Sequence, residues 1–482
     1  MPQRAIVIGA GLGGLQCACI LARNGYDVTV LEKGIQAGGC LQSFKRSGTL
    51  FDTGFHYVGG LGKGEVLEWL FKYYNLLDLP WKKLDDECTD KIVVGGHSFK
   101  LASGYERFIE TLSEQFPKEK DGLVRYISQL RDIGDGISRD FGSGAQMEFF
   151  SRSAYDFLCS CTSDPMLRKV LSGASLRLEY NESLPLYVFA QINNSFIQSG
   201  WRLSGGGQTL VNALVSEVVK AGGRVITNAE VDRIEEKDGK AVSAITVDGR
   251  VFEGDVFVSD AHPSVTLNLL RESAAVKNIY RRRINSLKNS YGVFTVNARI
   301  RQDSLPYENF NTYVHSSDAD VWHSSGESLM ISYGVPRAGE KATTIDLLTR
   351  MDWNDVCGFS GTKPMRRGSD YESFKKNLAE KCIRSAEAVI PGLKDSIEFY
   401  HTSTSLTYNS YTGTHEGSAF GIMKDWNSPL TTVLSPRTPV ENLLLTGQNL
   451  NLHGVLGVSM TSLYTCAQLL GPDRIREDFN IK

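Results

Sequence analysis

The sequence has no run of 18 or more apolar residues, so it offers no transmembrane helix. It also lacks any long Lys/Arg run. With a formal net charge of −3, nothing in its electrostatics points to nucleic acid. Cysteine is scarce and poorly spaced for metal or redox work. There are 9 Cys, and the only close pairs, Cys17-x-Cys19 and Cys159-x-Cys161, match neither a zinc knuckle nor a thioredoxin-type CxxC. Reduced, mostly buried thiols, a cytoplasmic setting and no metal site are expected. No HExxH and no Ser-His-Asp signature is found, nor any internal repeat or low-complexity segment. Arg4 and the apolar run after it imitate a signal peptide. Gly9, Gly11, Gly13 and Gly14 interrupt that run, and a second strand follows directly.

What is present is a chain of 482 residues, enough for two or three domains. Its start is crowded with glycine. Ala5–Ile8 is a short β-type apolar run, read as a buried parallel strand. Gly9-Ala10-Gly11-Leu12-Gly13-Gly14 follows as G-x-G-x-x-G. Small and apolar residues then recur at helical spacing from Leu15 to Arg23, and Asn24-Gly25 stops that helix. Asp27–Leu31 is the second strand, closed by Glu32. In this order the glycines serve a tight turn, close approach of backbone to a pyrophosphate, and close helix–strand packing. The phosphates would sit at the helix N-terminus, where free N–H groups and the helix dipole favour anions. Glu32 is placed to accept hydrogen bonds from a ribose diol.

The glycine pattern continues. Lys33 precedes a second Gly-Gly turn, Gly38-Gly39-Cys40, and then the run Phe51-Asp52-Thr53-Gly54-Phe55-His56-Tyr57. Residues 61–200 read mainly as helices, with apolar stripes over Tyr105–Phe116 and Leu123–Ile133 separated by Pro117. The aromatic stretch 147–158 reads as core, with a membrane or substrate-channel face as the alternative. Gly205-Gly206-Gly207 opens a helix, and Arg224–Thr227 and Asp255–Ser259 read as strands that return to the first sheet. Gly205–Leu210 lacks the third glycine and the preceding buried strand, so it is not a second fingerprint. Strand Leu443–Thr446 then leads through Gly447-Gln448 to a helix opened by Gly454-Val455. The expected fold is α/β. A discontinuous Rossmann-type domain spans 1–60, 200–275 and 435–482, and an inserted α+β substrate domain spans 61–199 and 276–434.

The run E-K-x-x-x-x-G-G-x-x-x-S, the FDTG-x-HY segment, Arg367-Gly368-Ser369-Asp370-Tyr371-Glu372 and Leu445-Thr446-Gly447-Gln448 carry a resemblance. Together they resemble the phytoene desaturase and carotenoid isomerase group of FAD-dependent enzymes, in its retinol saturase branch, over nearly the whole chain. The segment Tyr408–Gly417 departs from the Pro- and Gly-containing pattern of that branch before Phe420-Gly421. The resemblance implies FAD rather than NAD in the sheet domain. The expected FAD contacts are Gly9, Ala10, Gly11, Leu12, Gly13, Gly14, Glu32, Lys33, Gly38, Gly39, Cys40, Gly54, Phe55, His56, Val231, Gly447, Gln448, Gly454 and Val455. FAD is expected to be non-covalent, since no Cys or His stands in a recognised attachment motif. The resemblance further implies an apolar polyene or lipid substrate and reduction, desaturation or isomerisation of its carbon–carbon double bonds.

His56 is the candidate catalytic residue, to supply a proton or order water, or else to support the flavin. Tyr57, Glu179, Tyr180 and His453 stand behind it. Electrons would come from NAD(P)H bound without a second fingerprint or from a separate external donor. Peripheral membrane contact is compatible with such a substrate. The competing readings are a carotenoid desaturase or isomerase, an amine-oxidase-like flavoenzyme, and a lipid-binding module of the Rab GDP-dissociation-inhibitor type.

Overall fold

The computed structural model describes residues 2–139, 141, 144 and 146–481. Its nucleotide-binding layer is a five-stranded parallel sheet in the spatial order Arg224–Ile226, Asp27–Leu31, Arg4–Ile8, Val256–Ser259, Leu443–Leu445. Ala5 stands opposite Val28 on one side and Val256 on the other. The four strands other than the edge strand Arg224–Ile226 are buried almost from end to end, as a parallel sheet covered on both faces must be. One face packs the helices Leu12–Arg23, Gly207–Lys220 and Gly454–Leu470. The other face packs a three-stranded antiparallel sheet, with Ile6, Ile8 and Phe257 against Ile234 and Ala244. The chain therefore enters this sheet, leaves, returns at Arg224, leaves again and closes it at Leu443.

The intervening segments build a seven-stranded mixed sheet, ordered Ile397–Ser403, Gly292–Ile300, Thr344–Met351, Ser328–Tyr333, Asn311–His315, Asp90–Val94, His97–Leu101. Strand period sorts its two faces. Tyr313, Met330 and Leu348 join the core of the helices within 105–198, whereas Leu329, Ile331, Ile345 and Leu347 pack on the far side with helix Ser369–Glu387.

Two differences from the sequence reading have simple causes. The stretch 61–200 is not only helical, because Asp90–Val94 and His97–Leu101 form a hairpin turned by Gly95-Gly96. That hairpin joins the large sheet through parallel pairing of Asp90–Val94 with Asn311–His315. The helix after the fingerprint also begins at Leu12 rather than Leu15, because Gly13 and Gly14 lie within its first turn. In the aromatic stretch, Phe150, Ala154 and Leu158 are buried and Met147, Phe149, Tyr155 and Phe157 pack against the same core. Its exposed positions are Glu148, Ser151, Arg152 and Asp156, so that stretch presents no apolar face to solvent.

Candidate functional site

The first strand ends at Gly9, whose φ of +96° turns the chain sharply into helix Leu12–Arg23. A Cβ on Gly14 would stand 2.1 Å from the Gly9 carbonyl oxygen, so helix and strand pack in direct backbone contact there. A Cβ on Gly11 would lie 2.3 Å from Asp260 Oδ2. No side chain caps this helix. The result is a bare cradle of backbone at a helix N-terminus, which fits the close approach of a pyrophosphate.

Glu32, only 7% exposed, closes the second strand beside the cradle. Its Oε2 accepts from Ala10 N at 2.9 Å and its Oε1 from Gly34 N at 2.7 Å. The carboxylate thus holds the loop in shape and still has lone pairs for a diol. Gly38 N donates to the Ala10 carbonyl at 2.8 Å, tying the second Gly-Gly turn to the first.

These turns open on one cavity of about 640 Å³, within the range of cofactor and ligand sites. Every expected contact lines it except Ala10, Gly14 and Gly447. Gly14 sits behind the wall as the packing glycine, Ala10 donates to Glu32, and a Cβ on Gly447 would meet Asp260 Oδ1 at 2.4 Å. Val231 and the segment carrying Gln448, Gly454 and Val455 arrive from two distant parts of the chain. Asn409, Thr412, Gly413, Thr414 and His415 also line the cavity, so the segment that departs from the retinol saturase pattern forms part of its wall.

Sequence reasoning missed Asp260. It follows strand Val256–Ser259, the direct neighbour of the first strand, and is wedged among Gly11, Gly13 and Gly447. Burial pushes its carboxyl up to about 7; Glu32 adds to this and the hydrogen bond from Gly14 opposes it. The available signal was the return of a parallel strand beside the fingerprint, since the residue at its C-terminal end must face the glycine turn.

The wall beyond the glycines is held by a buried polar network. Tyr57 OH donates to Asp90 Oδ1 at 3.1 Å and lies 2.8 Å from Tyr313 OH. Arg177 Nε donates to Tyr57 OH at 2.6 Å, and the Arg177 guanidinium pairs with the Asp90 carboxylate. Burial pushes the Tyr57 phenol well above its ordinary range, so it is a poor proton donor. His453 lines the cavity and donates from Nε2 to the Arg177 carbonyl at 3.0 Å. Glu179 and Tyr180 do not line the cavity, and Glu179 accepts from Tyr291 N at 3.0 Å.

His56 does line the cavity. Its Nε2 is buried without a hydrogen-bond partner among the described residues. Burial, with Arg202 adding, pushes the imidazolium down to about 4. The ring is therefore neutral at neutral pH, and an imidazolium is not the proton store that a free histidine would provide.

The family model "Flavin containing amine oxidoreductase" matches residues 12–298. The chain is 24% identical over 524 aligned residues to the all-trans-retinol 13,14-reductase of Danio rerio, covering 97% of this chain and 85% of that one. It is 32% identical over 135 residues to prolycopene isomerase 2 of an Oncidium hybrid cultivar, 28% of this chain and 23% of the other. The crystal structure of an oxidoreductase from Methanosarcina mazei shares the fold, with a TM-score of 0.65 at 18% identity over 95% of this chain and 99% of that one. With the family matched over more than half its length and the dinucleotide cradle intact, this chain belongs to the flavin-containing amine oxidoreductases and is an FAD-dependent oxidoreductase.

Proposed function

We propose that the protein reduces a carbon–carbon double bond of an apolar, retinoid- or carotenoid-like polyene. The observation that carries this is the charge distribution in the cavity. Its charged side chains at the cradle end are Glu32, Lys33, Glu230 and Asp260. Past the cradle the wall includes Leu176, Ile192, Phe196, Met330 and Phe420, and among the described residues its one charged member is Arg177, already paired with Asp90. A cationic amine would find no free carboxylate on that wall, whereas an uncharged polyene would find matching apolar surface. The full-length likeness to retinol 13,14-reductases points the same way.

Bound FAD supplies the two-electron chemistry. The chain's part is placement and the proton. The glycine cradle and the N-terminus of helix Gly454–Leu470 would hold the anionic part of the cofactor, and Glu32 would accept from its ribose. The Tyr57–Asp90–Arg177–Tyr313 network keeps the substrate wall rigid. His56 Nε2–H gives a proton to the alkene carbon. Its reducing equivalents would have to come from an external donor, either a nicotinamide or a separate redox protein.

The test is anaerobic incubation of the reduced protein with a panel of retinoids and carotenoids, and aerobic incubation of the oxidised protein with the same polyenes and with amines, reading product mass. A gain of two hydrogens on a polyene is expected. Turnover confined to amines overturns the reading. His56→Phe should retain FAD and lose turnover about 10²–10⁴-fold, the usual share of proton transfer.

A further inference from the structure

Behind His56, in the middle of strand Thr344–Met351, lies a carboxyl group that the reaction so far leaves idle. Asp346 alternates with Ile345 and Leu347, so it shares the sheet face of Leu348, toward the helices and the cavity. Its register partners are Asn297 on one side and Ser332 on the other. Asn297 Nδ2 donates to Asp346 Oδ1 at 2.7 Å. The second oxygen, Oδ2, stands 3.6 Å from His56 Nδ1, with both side chains about one-tenth exposed. Such a distance is longer than a hydrogen bond, and contacts of this kind tighten when a site fills.

We propose that Asp346 is the positioning residue and proton store of His56: its carboxyl donates to Nδ1, fixes the imidazole as the Nε2–H tautomer, and replaces the proton that Nε2 gives to the substrate. The proposal rests on His56 being the donor to the alkene.

Burial makes the ion pair the unfavourable form of these two groups. Desolvation pushes the His56 imidazolium down to about 4 and raises the Asp346 carboxyl to about 7, with Asp52 adding to the rise and Asn297 opposing it. Below that pH a carboxylic acid faces a neutral ring. The acid has an O–H and the facing Nδ1 a lone pair, so the only N–H of the ring is at Nε2. A neutral imidazole is by itself a very weak acid. Coupled to Asp346 it donates with the strength of a carboxylic acid. In that step the Asp346 O–H bond breaks and Nδ1–H forms, while Nε2–H breaks and a C–H bond forms on the substrate. Neither residue is oxidised or reduced; reduced FAD, when bound, would supply the hydride equivalent for the neighbouring carbon. Return of the Nδ1 proton to Asp346 and uptake of a solvent proton at Nε2 reset the pair.

The pair is faced by Asp52 from strand Thr49–Asp52, Arg202 from Gly200–Leu203, Tyr408 from helix Ser405–Thr412, and His401, in register with Asn297 on Ile397–Ser403. Burial pushes the Tyr408 phenol far up and the His401 imidazolium down, and it raises the Asp52 carboxyl against the opposing hydrogen bonds from Ser43 and Gly207, so the comparison with Asp346→Asn is what assigns the midpoint to Asp346.

The test starts with FAD-free protein labelled with ¹⁵N in histidine. The His56 nitrogens should show the Nε2–H tautomer, with Nδ1 shifting at a midpoint near pH 7 as Asp346 ionises. In Asp346→Asn that shift should vanish, while the amide still donates to Nδ1. With FAD saturating, Asp346→Asn should lower kcat about 100-fold or more with KM unchanged. The wild-type fall in kcat above pH 7 should be absent in the variant, and flavin reduction by dithionite should not change. An unshifted Nδ1 in the wild type overturns the proposal even if Asp346→Asn does not fold. So does an Asp346→Asn protein with full turnover while His56→Phe is inactive. Full turnover in His56→Phe instead overturns the assignment of His56, and this proposal with it, whatever the histidine spectrum shows.

Discussion

Gly14→Ala places a methyl where the fold has none to spare. The new carbon would stand 2.1 Å from the Gly9 carbonyl oxygen and 3.2 Å from Asp260 Cβ. An ordinary C···O approach is about 3.3–3.6 Å, so helix Leu12–Arg23 must back away from its strand by about 1 Å. Neither neighbour can yield as a flexible side chain would, since one is backbone and the other is wedged among three glycines. Overpacking of this kind costs about 1–3 kcal/mol. Spread over the unfolding entropy of a 482-residue chain, that lowers Tm by only about 1–3 °C. The larger effect falls on FAD. The same displacement would carry the first-turn amides away from the position proposed for the pyrophosphate. Losing two charge-assisted hydrogen bonds at about 1.5 kcal/mol or more each weakens binding about 100-fold. Titration of FAD-free protein by flavin fluorescence quenching measures this, with Gly361→Ala as control, since nothing lies within 4 Å of that position. A Gly14→Ala protein with wild-type FAD affinity would refute both the packing role of Gly14 and the placement of the pyrophosphate at this turn.

Glu32→Ala should lower FAD affinity more than the tenfold expected from one ribose contact, because it also releases the amides of Ala10 and Gly34; occupancy at limiting FAD reads this. Asp260 is protonated below about pH 7 and ionised above it, so FAD affinity should fall as pH rises through 7. Asp260→Asn should remove that dependence and raise affinity at pH 8 about tenfold or more, since it deletes a like charge beside the proposed phosphate position. Lys424 Nζ is buried on the carbonyls of Ile422 and Asn449, and burial alone pushes its ammonium down to about 7. The unfolded chain keeps that proton up to about pH 10.4. Above pH 7 the unfolded state therefore binds more protons and stability rises with pH; Lys424→Met should flatten that rise in urea midpoints measured from pH 7 to 10.

The dinucleotide unit could be read from the chain alone because its parts are local. Strand, glycine turn, helix, strand and Glu32 follow one another within the first 32 residues, and each is marked by a residue type with one physical use there. The returns of the chain to that sheet could also be followed, because Val256–Ser259 and Leu443–Leu445 are short apolar runs that only a doubly covered strand explains. Hidden from the sequence were the groups that face one another across the fold. The hairpin Asp90–Leu101 finds its parallel partner more than 200 residues later, and with it come the Asp90–Arg177 pair and the Tyr57 network. Asp260 meets Gly11 and Gly13 through the pairing of strands distant in sequence. His56 meets Asp346 because sheet register sets Asp346 beside Asn297, on the face turned toward the cavity. Local sequence determines turns, helix starts and strand periodicity through backbone sterics and side-chain pattern. Which buried acid lies beside which imidazole is settled only by strand register and layer packing, and desolvation in that packed interior then places the protons.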